Sequence, residues 1–288
     1  MYKRLMLFAL VTVALLSFIM VLVYLFSGRV GGGKPVKVPE PTTTQPRVRA
    51  DVPSSNVKEE PPAPAIALVL DDLGYGEKLL QEIAALGIPV TLAVLPDLAF
   101  SSRVCDFADA EGLDTILHLP MEPFEVTSGL EKNTIMTDMS DREILDILDN
   151  DLASVKNAKG VSNHMGSRAT TDEHVMDVIM GDLERRGLFF LDSYTSASSV
   201  VEASARRMGV PAIKRGLFID NQLDREYIKG QMAKLAELSR KNGYAVGIGH
   251  YRQATVEALK EVVPEILGSD VVFVRLPELI GRLDGENE

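Results

Sequence analysis

Residues 66–95, IALVLDDLGYGEKLLQEIAALGIPVTLAVL, set the pattern for the rest of the chain. A short apolar run ends in two carboxylates, a segment of helical period follows, and a second apolar run closes the unit. Strands buried on both faces read as continuous apolar runs, and helices as apolar residues three and four apart, so the stretch predicts β, α and a second, parallel β. The unit recurs downstream in DTILHL (114–119), GVSN (160–163), LFFLD (188–192), GLFID (216–220) or the neighbouring PAIK (211–214), YAVGIG (244–249) and VVFVRL (271–276). Of the helices between them, the clearest spans Asp141–Lys156. It opens with Ser140 and Glu143 as a capping box, in which each side chain satisfies an orphan backbone N–H. Thr170 and Glu173 repeat that arrangement, and Gly87, Gly112 and Gly187 stand where helices stop.

Seven or eight such units build either a β/α barrel or an open doubly wound sheet. The chain has neither a G-x-G-x-x-G turn nor a Walker A loop, the phosphate-binding turns that often accompany the open sheet. The expected fold is therefore an α/β domain over residues 65–284, a distorted or incomplete (β/α) barrel of seven or eight strands.

Outward from this domain, Leu5 to Phe26 contains no charged residue and is long enough as a helix to cross roughly 30 Å of hydrocarbon. A cleaved signal peptide has an apolar run of only about 7–15 residues, so the segment predicts a retained transmembrane helix within residues 1–30. Residues 31–64 are rich in Gly, Pro, Thr, Val and Ser and predict an extended, disordered linker. The resulting expectation is a single-pass protein anchored in the membrane, with its main domain outside the cytoplasm, in the periplasm or cell envelope.

The 288 residues carry a net charge of −11, which argues against nucleic acid as a partner because such binding rests on Lys and Arg neutralising phosphates. The single cysteine, Cys105, can form neither an intramolecular disulfide nor a thiolate metal site. Any metal must be held by His, Asp or Glu.

Those residues gather at predicted strand ends. Asp71 and Asp72 follow IALVL, His118 ends DTILHL, Asn163 and His164 follow GVS, Asp192 follows LFFL, and His250 follows AVGIG. In a β/α barrel these ends converge on one face. Each residue also has an ordinary role: an Asp after a strand commonly caps a helix, and a His in an apolar strand is commonly a bonded core residue. His174, inside a predicted helix, reads as a surface residue. Two adjacent carboxylates repel, however, and a cation beside them removes that cost. Three histidines and an acidic pair suit a divalent metal, zinc first, with a carboxylate as base and a histidine as acid. Nucleophilic catalysis is disfavoured: there is no G-x-S-x-G elbow, and Cys105 lies in a helical stretch. A carboxylate pair also fits glycoside cleavage, which makes a glycosidase the rival enzyme.

The motifs LVLDDLGYG, PVTLAVLP, LHLPMEP, SNHMGSRATTD, GLFFLDSYTS, RGLFIDN and AVGIGHYRQAT, in this order, resemble the divergent polysaccharide deacetylases, a branch of the carbohydrate esterase and deacetylase superfamily. The resemblance covers about Ile66 to Ile280 and implies a distorted β/α barrel. It further implies removal of an acyl group from an amino-sugar polysaccharide of the envelope. By the same resemblance Asp71 is the base, Asp72 and His118 are metal ligands, and His250 protonates the leaving amine. Asp192 orients that histidine or positions substrate. Arg168 and Arg215 meet substrate charge or pair with Asp71, or else form structural ion pairs. In the superfamily a second histidine ligand stands four residues after the first, and here that place holds Glu122. Either Glu122 or His164 then completes the ligand set, and imidazole favours His164. The same departure leaves room for a glycan-binding or regulatory module that kept the pocket but not deacetylation.

Overall fold

In the computed structural model, which describes residues 62–125 and 129–285, β1 (Ala65–Leu73) divides its side chains between two buried layers. Ile66, Leu68 and Leu70 join a large outer cluster that includes helix residues such as Ile83, Val104 and Val256. Ala65, Ala67 and Val69 join a smaller inner cluster. This is the period-2 alternation of a strand covered on both faces, with small side chains on the crowded inner side.

After β1 come α1 (Leu80–Ala84), β2 (Val90–Val94), α2 (Ser101–Glu111), β3 (Asp114–Met121), α3 (Asp141–Ser154) and β4 (Gly160–Met165). The chain continues through α4 (Glu173–Arg186), β5 (Phe189–Asp192), α5 (Val201–Met208), β6 (Ala212–Lys214) and β7 (Leu217–Phe218). It ends with α6 (Arg225–Asn242), β8 (Tyr244–His250), α7 (Gln253–Leu267), β9 (Val272–Phe273) and α8 (Leu276–Gly285).

The sheet order is β6-β5-β4-β3-β2-β1-β8-β7, with β9 added beside the start of β1, and every pairing is parallel. A doubly wound sheet reverses its order at a switch point. Here the order is cyclic, with β8 returning beside β1, so the sheet curls as a barrel does. It stays open between β6 and β7, which only Arg215 and Gly216 connect. A cavity of about 1090 Å³ lies along that seam, lined by Lys214, Arg215, Tyr244, Val246 and Ile280 among others. The expected incomplete barrel is thus found, and GLFID and PAIK both prove to be strands, short ones at the two open edges.

Leu276, Leu279 and Ile280 of α8 belong to the inner cluster, and Arg275 just before them donates to Asp114 Oδ1 at the start of β3 (3.1 Å). The C-terminal helix therefore packs onto the inner core from the N-terminal ends of the strands.

The capping box at Ser140 is present, with Ser140 N donating to Glu143 Oε2 (2.9 Å) and Glu143 N to Ser140 Oγ (3.4 Å). The second expected box is not. Asp172 caps α4 by accepting from Val175 N, while Thr170 sits in a preceding 3₁₀ turn and donates to Gly166 O (2.7 Å). Gly112 and Gly187 close their helices at φ +68° and +66°.

The membrane-anchored, single-pass assignment is corrected. Among the described residues no helix is long and apolar enough to cross a membrane. The stretch Leu5–Phe26 that suggested an anchor lies outside the described residues, as does nearly all of the predicted linker at 31–64.

Candidate metal centre

Consecutive strand residues point to opposite faces, so Asp71 and Asp72 of β1 should diverge. Instead both carboxylates approach one histidine: His118 Nε2 is 3.6 Å from Asp71 Oδ2 and 3.4 Å from Asp72 Oδ1. The cause is local. Pairing with β2 shifts register between Leu70 and Leu73, and Asp72 adopts φ +62°, a left-handed conformation that few residues other than glycine take. The bulge turns the second carboxylate toward the mouth. Met165 (φ +54°), the last residue of β4, and Tyr194 (φ +49°), two residues beyond β5, adopt the same left-handed conformation, which concentrates backbone strain at this end of the sheet.

His118 of β3 and His164 of β4 complete the cluster. Asp72 Oδ1 lies 3.1 Å from His164 Nδ1, the two rings meet edge to face at 5.0 Å, and one ligand atom from each of the three residues falls within 4.8 Å of the others. Ser162 Oγ sits 2.8 Å from His118 Nδ1, which fixes the ring and leaves Nε2 facing Asp72. Burial lowers the His118 pKa to about 4, so the ring is neutral and has a lone pair to offer at neutral pH. For Asp72, burial works against ionisation, but its bonds to His118 and His164 prevail and hold it well below the usual carboxylate range. One carboxylate oxygen and two imidazole nitrogens in this compass could hold a metal ion. Beside them, Asp71 is 2% exposed and its Oδ1 has no hydrogen-bond partner, as a group awaiting water or substrate would be. Burial, Asp72 and Asp220 raise its pKa well above the ordinary value, while the charge of Arg215 opposes them.

Glu122 is placed elsewhere. Its Oε2 accepts from Thr137 N and Oγ1 (2.7 Å each), and its Oε1 pairs with Arg168 Nη1 at 3.3 Å. Arg168 is accordingly a partner of Glu122 rather than of Asp71.

His250 ends β8 directly beside Asp71, its register partner on β1. Its Nδ1 lies 2.8 Å from Asp220 Oδ1 and its backbone N donates to Asp220 Oδ2 (2.7 Å), which also accepts from Thr255 Oγ1 (2.6 Å). Burial opposes ionisation of Asp220, but these bonds win and lower its pKa. The His250 ring stacks on Phe218, over whose ring Arg215 also lies (3.8 Å from Cζ to centroid). Gly249 allows the close packing behind this strand, since a Cβ there would stand 2.9 Å from Ile219 and 3.1 Å from Thr255.

Asp192, expected to orient His250 or to position substrate, instead organises its own loop: it accepts from Tyr194 N (2.7 Å) and Ser199 Oγ (2.8 Å). The orienting carboxylate is Asp220, which sequence reasoning passed over although GLFID ends in Asp as LFFLD does. Arg215 donates to Ser193 O (2.7 Å) and Tyr194 O (3.1 Å) and turns its charge toward Asp71 and Asp192. His174 is exposed and pairs with Asp141 at 2.9 Å, as a surface residue does.

A family model described as divergent polysaccharide deacetylase matches residues 68–280. The uncharacterised protein YibQ of Escherichia coli K12 is 35% identical over 217 residues, covering 75% of this chain and 67% of that protein. An uncharacterised protein of Agrobacterium tumefaciens C58 has a similar crystal structure, with TM-score 0.72, 24% identity, and 76% of this chain and 89% of that one covered. A mutant of a CE4 family pseudoenzyme shares the fold at TM-score 0.50 and 13% identity, over 77% of this chain and 68% of that one.

Proposed function

The chain belongs to the divergent polysaccharide deacetylase family, and from that premise we propose that it is a zinc-dependent hydrolase removing an acyl group from the nitrogen of an amino sugar in a polysaccharide. The observation that carries this reading is the convergence of Asp72, His118 and His164 beside a buried carboxylate, Asp71, with an unpartnered oxygen. Asp72, His118 and His164 would hold the metal. When bound, zinc supplies Lewis acidity, making water acidic near neutral pH and polarising a carbonyl. Asp71 takes the proton of the attacking water at its free Oδ1. Arg215 supports that role, because its charge favours the ionised form of Asp71. His250 donates its Nδ1 proton to Asp220, which leaves Nε2 as the atom that gives a proton to the departing nitrogen. Asp192 shapes the β5 loop on which Arg215 rests and reaches substrate only through that loop.

The test is release of acetate from chitooligosaccharide and peptidoglycan fragments by the zinc-loaded protein, together with zinc content. Ala at Asp72, His118 or His164 should lower bound zinc, and undiminished zinc in all three purified variants overturns the ligand assignment. New reducing ends instead of acetate would make the protein a glycosidase. A second reading is favoured by Glu122, which stands where the superfamily has a histidine and is engaged by Thr137 and Arg168: a glycan-binding module with a metal pocket. Absence of product from a broad panel of acylated glycans selects it.

A further inference from the structure

We propose that Asp97, Asn133 and Asp151 form a second cation site, of the all-oxygen kind that takes Ca²⁺, distinct from the Asp72 centre. Asp151, on α3, is 0% exposed; its Oδ1 accepts from Asn133 Nδ2 (3.0 Å) and its Oδ2 has no hydrogen-bond partner. The same Asn133 Nδ2 donates to Oδ2 of Asp97 (3.1 Å), an exposed residue beyond the end of β2. Two carboxylates therefore converge on one neutral amide, one of them fully buried with a bare oxygen.

A buried carboxylate with no opposite charge is costly, and an amide hydrogen bond offsets only part of that cost. Asp151 responds as such a group must: burial, with the charge of Asp97 adding to it, pushes its pKa up to about 7. A cation would engage the bare oxygen and both carboxylates, and a half-turn of the Asn133 amide would present its oxygen in place of nitrogen. Oxygen-only donors suit a hard ion such as Ca²⁺, whereas zinc prefers the imidazoles of the other cluster. The position also gives the ion a role. The Asn133 loop continues into Ile135, which donates to Pro120 O (2.9 Å), and Thr137, which donates to Glu122, so holding Asn133 stiffens the segment that follows His118.

The experiment uses the full-length protein with zinc present at pH 8, where Asp151 is ionised, and compares thermal midpoints with and without 10 mM (about 100 times a ~0.1 mM Kd) CaCl₂ at matched ionic strength. The midpoint should rise by about 5 °C in the wild type, with one calcium bound per chain by equilibrium dialysis, and by less than about 1 °C in Asp151→Asn and Asp97→Asn. Asp72→Asn should keep the rise. No rise in the wild type, an unchanged rise in Asp97→Asn, or loss of the rise in Asp72→Asn each overturns the proposal. Asp97 is exposed, so its variant tests the site even where Asp151→Asn fails to fold.

Discussion

Two places at the C-terminal ends of the strands bring aspartate and histidine together, and they are built on opposite principles. At Asp72, two imidazoles and one carboxylate oxygen crowd into a small space, the backbone is left-handed, and a neighbouring carboxylate has a bare oxygen. At Asp220, the carboxylate is fully engaged, accepting from the His250 ring, the His250 backbone and Thr255. A group left incomplete by its own fold has capacity for a ligand, and a group satisfied on all sides has a position to hold. The difference separates residues that receive something from residues that aim something, although both pairs look alike in composition.

Substitutions test that distinction. The largest effect is expected from Asp72→Ala and His118→Ala: turnover falls by about 10³-fold or more, beyond the ~10–100-fold cost of losing an outer partner, and zinc analysis finds little metal bound. His250→Ala should keep its zinc and lose ~10²–10⁴-fold in kcat, as removal of a general acid does. Metal loss there would erase the distinction. Asp220→Asn should cost about 10–100-fold in kcat with zinc intact, because the ring of His250 loses the carboxylate that orients it. Ser162→Ala should weaken zinc binding by about tenfold, measured by competition with a chromophoric chelator, since the serine fixes the ring of His118.

The smallest effect on activity is expected at Asp151, where the consequence is for stability. Its pKa is raised on folding, so the folded state holds a proton that the unfolded state has released, and the stabilisation is complete below about pH 4 and lost as pH rises through about 7. In calcium-free buffer this group should lower the unfolding free energy by about 1.4 kcal/mol per pH unit across that window, as read by urea titration. Asp151→Asn should flatten that slope and leave turnover unchanged.

Much of this architecture was legible from one dimension. The apolar runs ending in Asp72, His118 and His250 are strands whose ends meet, because parallel strands with helical crossovers bring all their C-terminal ends to one side. Three things were not legible. Asp220 follows a strand of only two residues, and its partner lies 30 residues away on the next strand, so no local pattern marks it. The turn of Asp72 toward Asp71 depends on a register shift against β2, which the sequence of β1 alone does not carry. The cap of α4 fell to Asp172 because a 3₁₀ turn absorbed Thr170, two residues earlier. Glu122 illustrates the reverse case. The resemblance left it open as a ligand, and its neighbours Thr137 and Arg168 claim both of its oxygens.

The order of the sheet also bears on how the domain comes into being. β1, the first strand among the described residues, pairs in register with β8 (Ala65 with Tyr244) and then with β9 (Ala65 with Val272), while α8 supplies Leu276, Leu279 and Ile280 to the inner core. Such pairing between distant parts of a chain closes large loops before it returns any stability, which slows folding. Until the segment from Tyr244 onward has emerged from the ribosome, β1 offers an open apolar edge with β2 as its one strand neighbour. A truncation ahead of Tyr244 therefore removes two of the three strand partners of the strand that carries Asp71 and Asp72.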